Sequence, residues 1–223
     1  MNILFVTNRN VYPLIGGIER ITYAVAEALR NIYGMHCYSL YTQENVLGQT
    51  TEGVFEGKVC LSEKDQVEQI AAYIKGNAIN VVIAQGSDAR VNQLMPQLKE
   101  AANQCHGVKL LFVYHTMPSF ELKPIDADVL WHRLVKGKNK SAACKQALIQ
   151  ILTMMLPSVA KKMVAGKYQM PYNNSDKVVL LSDNYIQLYD QFVNGEPNHY
   201  AVIHNMLSFP MEELSRKDKQ KEV

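Results

Sequence analysis

The chain has 223 residues, 48% of them hydrophobic and 20% charged, which is the balance of one large or two small globular domains. No apolar run reaches the roughly 18 residues that a spanning helix needs, and the apolar start lacks the basic lead and cleavage site of a signal peptide. The cysteines stand far apart without a CxxC pair, so we expect a cytoplasmic protein with reduced thiols, without a disulfide framework or a metal site.

Strand and helix patterns alternate along the chain. They predict strands over 2–7, 36–42, 79–85, 108–115, 177–182 and 200–205, with short β-like pieces within 50–61. They predict helices over 17–33, 64–75, 88–104 and 184–193, and a long helical region over 126–167. The long helical region is interrupted by KGKNK, and we expect it to bend at Pro157.

The predicted strands are apolar throughout and are separated by helices, which is typical of a parallel sheet covered on both faces. We therefore predict an α/β protein with a doubly wound, mainly parallel, Rossmann-like sheet. Ligands of such sheets bind at the carboxyl ends of the strands. Three stretches follow strand ends there: the loop with Gly16 and Gly17, the HTMP segment at 115–118 and the SDN segment at 182–184.

Two adjacent glycines, Gly16 and Gly17, precede the first predicted helix. Glycine lets a ligand approach the backbone closely, and a helix that begins there presents free N–H groups to an anion. The alternative is a tight turn without a ligand. The glycines do not form a GxGxxG fingerprint, which disfavours a nicotinamide dinucleotide.

Polar residues at two further strand ends are candidates for a site. His115 follows a strongly apolar strand and precedes Thr116, and its neutral imidazole could donate a hydrogen bond to a sugar hydroxyl or accept a proton. The alternative for His115 is a cap on the sheet edge. Ser182 and its two successors suit a helix N-cap, a role that is compatible with lining a pocket.

The net charge of +2 is unevenly distributed. Residues 122–167 contain nine Lys or Arg and two Asp, which gives +7 there and leaves −5 for the remainder. Part of this segment, 147–163, is apolar and rich in Met. One interpretation is a buried helix with solvated lysines at its ends. The alternative is an exposed helix face that contacts an anionic membrane or an anionic acceptor. The cationic contacts predicted for that surface are Arg133, Lys136, Lys138 and Lys140.

Three segments together resemble family-4 glycosyltransferases. They are LFVTNRNVYPLIGGIERITYAVAEALRNIYGMHCYSLYT near the start, FVYHTMP in the middle, and KVVLLSDNYIQLYDQF with YAVIHNML towards the end. The resemblance covers nearly the whole chain in order. It implies half of a GT-B fold. Residues 1–207 would be the N-terminal, acceptor-side domain, and residues 208–223 would be a linker towards a C-terminal donor-binding domain. In this family the C-terminal domain carries two glutamates separated by seven residues.

The resemblance also implies roles for individual residues. Gly16 and Gly17 would approach the donor diphosphate, and His115 would lie near the transferred sugar as the catalytic residue. The cleft would be lined by Glu19, Thr116, Ser182 and Asn205. Glu19 could instead fix the loop, and Asn205 would lie at the crossover between the two domains.

The implied reaction moves a sugar from a UDP- or GDP-sugar to a hydroxyl of a sugar or lipid-linked acceptor, with retention of configuration and without a metal. Such enzymes often serve cell-envelope or polysaccharide synthesis at the inner face of the cell membrane. The isolated domain would be inactive, and no nucleic-acid partner is predicted. The alternatives are half of a GT-B sugar-nucleotide epimerase, or a stand-alone binding module or subunit of a split enzyme.

Overall fold

The structure is a computed structural model that describes residues 1–44, 53–86, 89–123, 125–136 and 140–204. Its described strands are β1 Asn2–Arg9, β2 His36–Gln43, β3 Gly57–Cys60, β4 Val81–Gly86, β5 Lys109–Tyr114, β6 Lys177–Leu180 and β7 Tyr200–Val202. Its described α-helices are α1 Gly17–Tyr33, α2 Gln66–Gly76, α3 Ala89–Asn103, α4 Ala127–Lys136, α5 Lys140–Met155, α6 Pro157–Asn173 and α7 Asn184–Val193, with short 3₁₀ turns at Phe120–Leu122 and Pro197–His199.

The described strands form one parallel sheet in the order β3-β2-β1-β4-β5-β6-β7. The chain starts in the middle of the sheet, runs outward to β3, crosses back to β4 and continues outward to β7. The strand order therefore reverses between β1 and β4, and the crevice at such a reversal is where open α/β sheets bind ligands. This topology confirms the predicted doubly wound, Rossmann-like fold.

The two sides of the sheet are covered unequally. On what we call the helical side, alternate strand residues such as Leu110, Phe112 and Tyr114 are fully buried under α2, α3, α6 and α7. On the opposite side, which we call the α1 side, Phe5 and its neighbours pack under α1, the one helix of the described chain in that core cluster. Leu111 and Val113 also face the α1 side and are only half-buried.

The long helical region differs from its prediction. The region expected to be interrupted at KGKNK and bent at Pro157 consists of three helices, α4, α5 and α6. The interruption at KGKNK is confirmed, because α4 ends at Lys136 and α5 begins at Lys140, but the bend is instead a break between two helices. Pro157 is the first residue of α6 rather than an interior residue of a bent helix. Proline is favoured at that position, because its missing N–H would have no intrahelical partner there, whereas inside a helix its ring collides with a carbonyl of the preceding turn.

Candidate functional site

His115 lies directly after β5, at the carboxyl edge of the sheet. Its backbone N–H donates to the carbonyl oxygen of Gly86 at 3.1 Å, and its Nε2 is hydrogen-bonded to Oε1 of Gln85, the penultimate residue of β4. A side chain at Gly86 would collide with the ring of Phe112, so a glycine is required where β4 ends beside β5. The ends of two neighbouring strands thereby fix the imidazole.

His115 carries no charge at neutral pH. Burial lowers the pKa of its imidazole to about 4, because the charged form loses its hydration. Since the amide oxygen of Gln85 accepts a hydrogen bond, Nε2 carries the proton and Nδ1 the lone pair. At pH 7 this side chain can therefore accept a hydrogen bond or a proton, but it does not act as a general acid in its resting state.

A cavity of about 140 Å³ lies beside His115 on the α1 side of the sheet. Its walls are mainly apolar, with polar groups from Gln85, His115 and His204. The Nδ1–H of His204 donates to the carbonyl oxygen of Leu181 at 3.1 Å, which ties the end of β7 to the end of β6. The volume is below that of a typical small-molecule pocket, so the described residues can enclose only part of a nucleotide-sized ligand.

The N-terminus of α1 is arranged around Glu19. A Cβ at Gly16 would collide with the Glu19 carboxylate, which folds back over the start of the helix. That contact is consistent with the loop-fixing role of Glu19, since a carboxylate near a helix N-terminus is favoured by the helix dipole. A Cβ at Gly17 would meet no described atom within 4 Å, so the space beside it is open. Diphosphate binding at these glycines stays a prediction, and an anion at Gly16 would have to displace the carboxylate of Glu19.

A polar network at the ends of β1 and β2 was not anticipated from the sequence. The single hydroxyl proton of Thr42 is shared between the backbone and the side-chain oxygen of Asn8, each 2.9 Å from the hydroxyl oxygen. Glu44 accepts hydrogen bonds from the Tyr41 hydroxyl at 2.7 Å and from the Asn10 amide at 3.4 Å. These bonds anchor the start of the loop that leads to Gly16. Asn10 and Glu44, the polar residues directly after β1 and β2, are the sequence signal that could have revealed part of this network.

Two of the remaining predicted cleft residues, Thr116 and Ser182, directly follow residues at the carboxyl ends of β5 and β6. Thr116 is half-buried next to His115, and its hydroxyl has no hydrogen-bond partner among the described residues. Ser182 lies directly before the N-cap of α7, and its backbone oxygen accepts a hydrogen bond from the N–H of Tyr185 at 3.0 Å. The N-cap residue, Asp183, makes no side-chain capping bond. Asn205 lies outside the described residues, directly after His204.

The basic segment is exposed over the ends of α4, α5 and α6. Lys136 and Lys140 face solvent, while Lys138 and the side chain of Arg133 lie outside the described part of the structure. Met154 and Met155 are 85% and 73% exposed. The interpretation of 147–163 as a buried helix is therefore wrong at these two residues.

None of the helices in the described ranges is long and apolar enough to cross a membrane. In those same ranges, no group of three or more His, Cys, Asp or Glu side chains is placed to hold a metal ion.

The fold and the site define a doubly wound α/β protein with a candidate ligand site at the carboxyl edge of its parallel sheet. No model of a known protein family matches the chain, and no curated protein matches it. The solved structures that are similar to it include two proteins described as epimerases. One, a UDP-N-acetylglucosamine 2-epimerase, has 11% sequence identity and a TM-score of 0.49, with 92% of this chain and 48% of that chain covered.

The other structure is described as a putative UDP-N-acetylglucosamine 2-epimerase from Listeria monocytogenes. It has 10% identity and a TM-score of 0.49, with coverage of 90% of this chain and 44% of that chain. The chain therefore spans about half the length of both proteins or slightly less. A similarity of this size does not transfer their activity to this chain.

Proposed function

We propose that this chain is the acceptor-side half of a retaining glycosyltransferase with a GT-B fold, which moves a sugar from a UDP- or GDP-sugar to an acceptor hydroxyl. The observation that carries the proposal is the neutral imidazole of His115, held by Gln85 in a cavity at the carboxyl edge of the sheet. A neutral imidazole suits hydrogen bonding to sugar hydroxyls, because it neither repels nor neutralises the diphosphate of a donor.

The two ends of the proposed donor site have different chemistry. His115 would accept a hydrogen bond at Nδ1 from a hydroxyl of the transferred sugar. The free N–H groups at the start of α1, beside the open space at Gly17, would face the diphosphate. The positive end of the helix dipole would stabilise the departing nucleoside diphosphate without a metal.

The α1 side of the sheet supports the proposal that a second domain completes the site. Leu111, Val113 and Leu181 are apolar, half-buried and line the cavity, while Ile203 beside them is 62% exposed. Further polypeptide over this surface would bury apolar area and enclose the ligand, which the cavity alone is too small to do. A C-terminal donor-binding domain is the partner that we propose for it.

Nucleotide binding by this chain tests the proposal directly. Saturation-transfer NMR with UDP and with GDP should detect weak binding to the wild-type protein and its loss in Gly17→Leu. The matched control is Gly76→Leu: Gly76 ends α2 and is exposed, and a Cβ added there would likewise meet no described atom within 4 Å. Binding that is absent from the wild type, or unchanged in Gly17→Leu, would contradict the proposed donor site.

Turnover separates a transferase from a binding module. In the enzyme that combines this domain with its donor-binding domain, His115→Ala should lower kcat by about 10²- to 10⁴-fold and change donor affinity much less. Wild-type turnover in His115→Ala would remove the catalytic assignment. Donor binding without turnover on any acceptor would favour the binding-module alternative.

The epimerase alternative is favoured by one specific feature, which is that two imidazoles, from His115 and His204, line the same cavity. Two bases on a common substrate can remove and return a proton at one carbon. Incubation with UDP-N-acetylglucosamine in D₂O, without an acceptor, would then incorporate deuterium into the sugar. Transfer that needs an acceptor and leaves the sugar undeuterated would instead support the transferase.

We also propose that the basic segment contacts an anionic membrane surface, at the inner face of the cell membrane. Exposed apolar side chains at Met154, Met155 and Leu156 lie close in sequence to Lys161 and Lys162. Apolar insertion and electrostatic attraction act together at anionic lipid surfaces. The domain should float with phosphatidylserine vesicles at low salt and dissociate as salt rises.

A further inference from the structure

The helical side of the sheet contains a second and larger cavity, of about 470 Å³. It lies between α3, α5, α6 and the 3₁₀ turn Phe120–Leu122. None of the residues that line it also lines the cavity beside His115. The volume is within the usual range for sites that hold a small organic molecule.

Asn92, in the first turns of α3, is the informative residue of this cavity. It lines the cavity and is only 4% exposed, yet neither its amide nitrogen nor its amide oxygen has a hydrogen-bond partner among the described residues. Buried polar side chains are nearly always hydrogen-bonded, because an unpaired buried amide costs free energy. A ligand that presents both a donor and an acceptor would satisfy it.

The wall next to Asn92 is held in place by hydrogen bonds. The carboxylate of Glu121 accepts hydrogen bonds from the ammonium group of Lys167 and, at 2.6 Å, from the hydroxyl of Tyr168. The Gln146 side chain donates to the carbonyl oxygen of Glu121 at 3.1 Å, which joins α5 to the turn. The cavity is therefore formed before any ligand enters, which lowers the entropic cost of binding.

The lining of the cavity indicates the chemistry of its ligand. The charge of Glu121 is already matched by Lys167, and the other cationic residue of the lining, Lys145, is exposed to solvent. The buried part of the cavity therefore does not call for an ionic group. Ile149 and Val164 add buried apolar surface, and Met163 and Met170 continue that surface outward. The complementary molecule has an uncharged head with hydroxyl groups and an aliphatic body.

We propose that this cavity binds a small neutral amphiphile, with a sugar or polyol head on the amide of Asn92 and an aliphatic body against Ile149, Val164 and the two methionines. The proposal does not rest on the proposed transferase activity, because it uses none of the residues of the His115 cavity. It would give the protein a second site for a lipid-like sugar or polyol.

Octyl β-D-glucoside, used below its critical micelle concentration, is a suitable probe. NMR titration of the full chain should show saturable binding by the wild type. Asn92→Leu should weaken the affinity by about tenfold or more, which corresponds to the loss of one or two good hydrogen bonds. The same substitution should raise Tm by a few degrees in the absence of the probe, because it removes an unpaired buried amide.

A second variant keeps the test decisive if Asn92→Leu fails to fold. Gly166 lines the cavity within α6, and a Cβ there meets no described atom within 4 Å, so Gly166→Leu should fold and occupy the cavity. It should abolish binding of the probe. Gly76→Leu, at an equally open helical glycine, and Thr22→Val, at another buried group without a described partner, should bind the probe like the wild type.

Three outcomes would overturn the proposal. One is the absence of saturable binding by the wild type, which would assign the cavity to water. Another is undiminished affinity in Gly166→Leu. The third is equal affinity for tetraethylene glycol monooctyl ether, which has the same aliphatic chain but lacks the sugar hydroxyls, since the head group would then contribute nothing.

Discussion

The two cavities of this protein lie on opposite sides of one sheet and handle ionisable groups differently. On the α1 side, His115 meets the neutral amide of Gln85, and burial lowers the pKa of the imidazole to about 4. On the helical side, burial acts to raise the pKa of Glu121, but hydrogen bonds from Lys167 and Tyr168 outweigh it and lower that pKa. The chemical partner, rather than burial alone, decides which group stays charged.

The difference extends to packing, because the helical side is covered along the sheet and the α1 side only in part. The cavity beside His115 lies on the partly covered α1 side, whereas the Glu121 cavity lies between α3, α5 and α6, where Gln146 and Lys167 are bonded to Glu121 of the 3₁₀ turn. The first side is suited to complete its site with further polypeptide, and the second holds its site within the described fold.

Two consecutive residues of β5 test this contrast with the largest expected effect. Leu110 is fully buried on the helical side, and Leu111 is half-buried beside the His115 cavity. Leu110→Ala should lower the free energy of unfolding by about 3–4 kcal/mol, and Leu111→Ala by about 1–2 kcal/mol, because less buried contact is lost. Urea unfolding of both variants measures the difference, and equal losses would contradict the unequal covering.

The charge state of His115 gives the next effect. Its pKa is about 4 in the folded protein and about 6.5 in the unfolded chain, so the unfolded state binds more protons between these values. The contribution of His115 to the free energy of unfolding is therefore fully present above pH 6.5, and the free energy of unfolding falls by roughly 2–3 kcal/mol as the pH drops from 7 to 4.5. In His115→Gln the loss over this range should be smaller by that amount. An identical pH dependence in wild type and variant would show that His115 titrates normally.

Removing the carboxylate of Glu121 tests the opposite cavity. Glu121→Ala leaves Lys167 and the hydroxyl of Tyr168 without their acceptor, at a cost of about 2 kcal/mol at pH 7 after allowance for partial exposure. Because the pKa of Glu121 is lowered, its contribution is present above the ordinary carboxyl pKa and disappears as the pH falls through the folded value.

The control for Glu121→Ala is Glu100→Ala, at an exposed carboxylate of α3. It should change the free energy of unfolding by less than about 0.5 kcal/mol. If chemical denaturation gave the two variants the same stability, the ion pair with Lys167 would contribute nothing beyond that of a surface charge.

The smallest effect on stability is expected at the exposed end of α5. Met154→Asp should change the free energy of unfolding by less than about 0.5 kcal/mol, because the side chain is 85% exposed. It should nevertheless reduce flotation with anionic vesicles, since a charge would enter the lipid surface. Ile32→Asp, at a 72% exposed residue of α1, is the matched control. Equal flotation of both variants would move the membrane contact elsewhere.

Much of the fold could be predicted from local pattern. The helices at Gly17–Tyr33 and Asn184–Val193 have the predicted bounds, and Gly34 ends the first of them with a left-handed φ of 62°. Apolar strands separated by helices predicted the doubly wound sheet, because only a sheet buried on both faces tolerates such strands. The break at Pro157 was located correctly, but its role as the first residue of a new helix was not.

The candidate site was predicted only in outline. His115 was identified because it follows an apolar strand, and strand order brings such positions to one edge. Its partner Gln85 was missed, although it is the penultimate residue of the neighbouring strand, since a single sequence does not reveal which strands are adjacent. Asn92 and Glu121 were missed for a similar reason, as their significance depends on what lies beside them.

The sequence by itself determined the alternation of strands and helices, the class of sheet and the edge at which ligands are expected. These follow from periodicity and from the turn preferences of glycine and proline, which act within a few residues. Only the tertiary structure decided that His115 is neutral, that Glu121 is charged and that Asn92 is unpaired. Those properties depend on burial and on partners as far as 47 residues away along the chain, as Tyr168 is from Glu121.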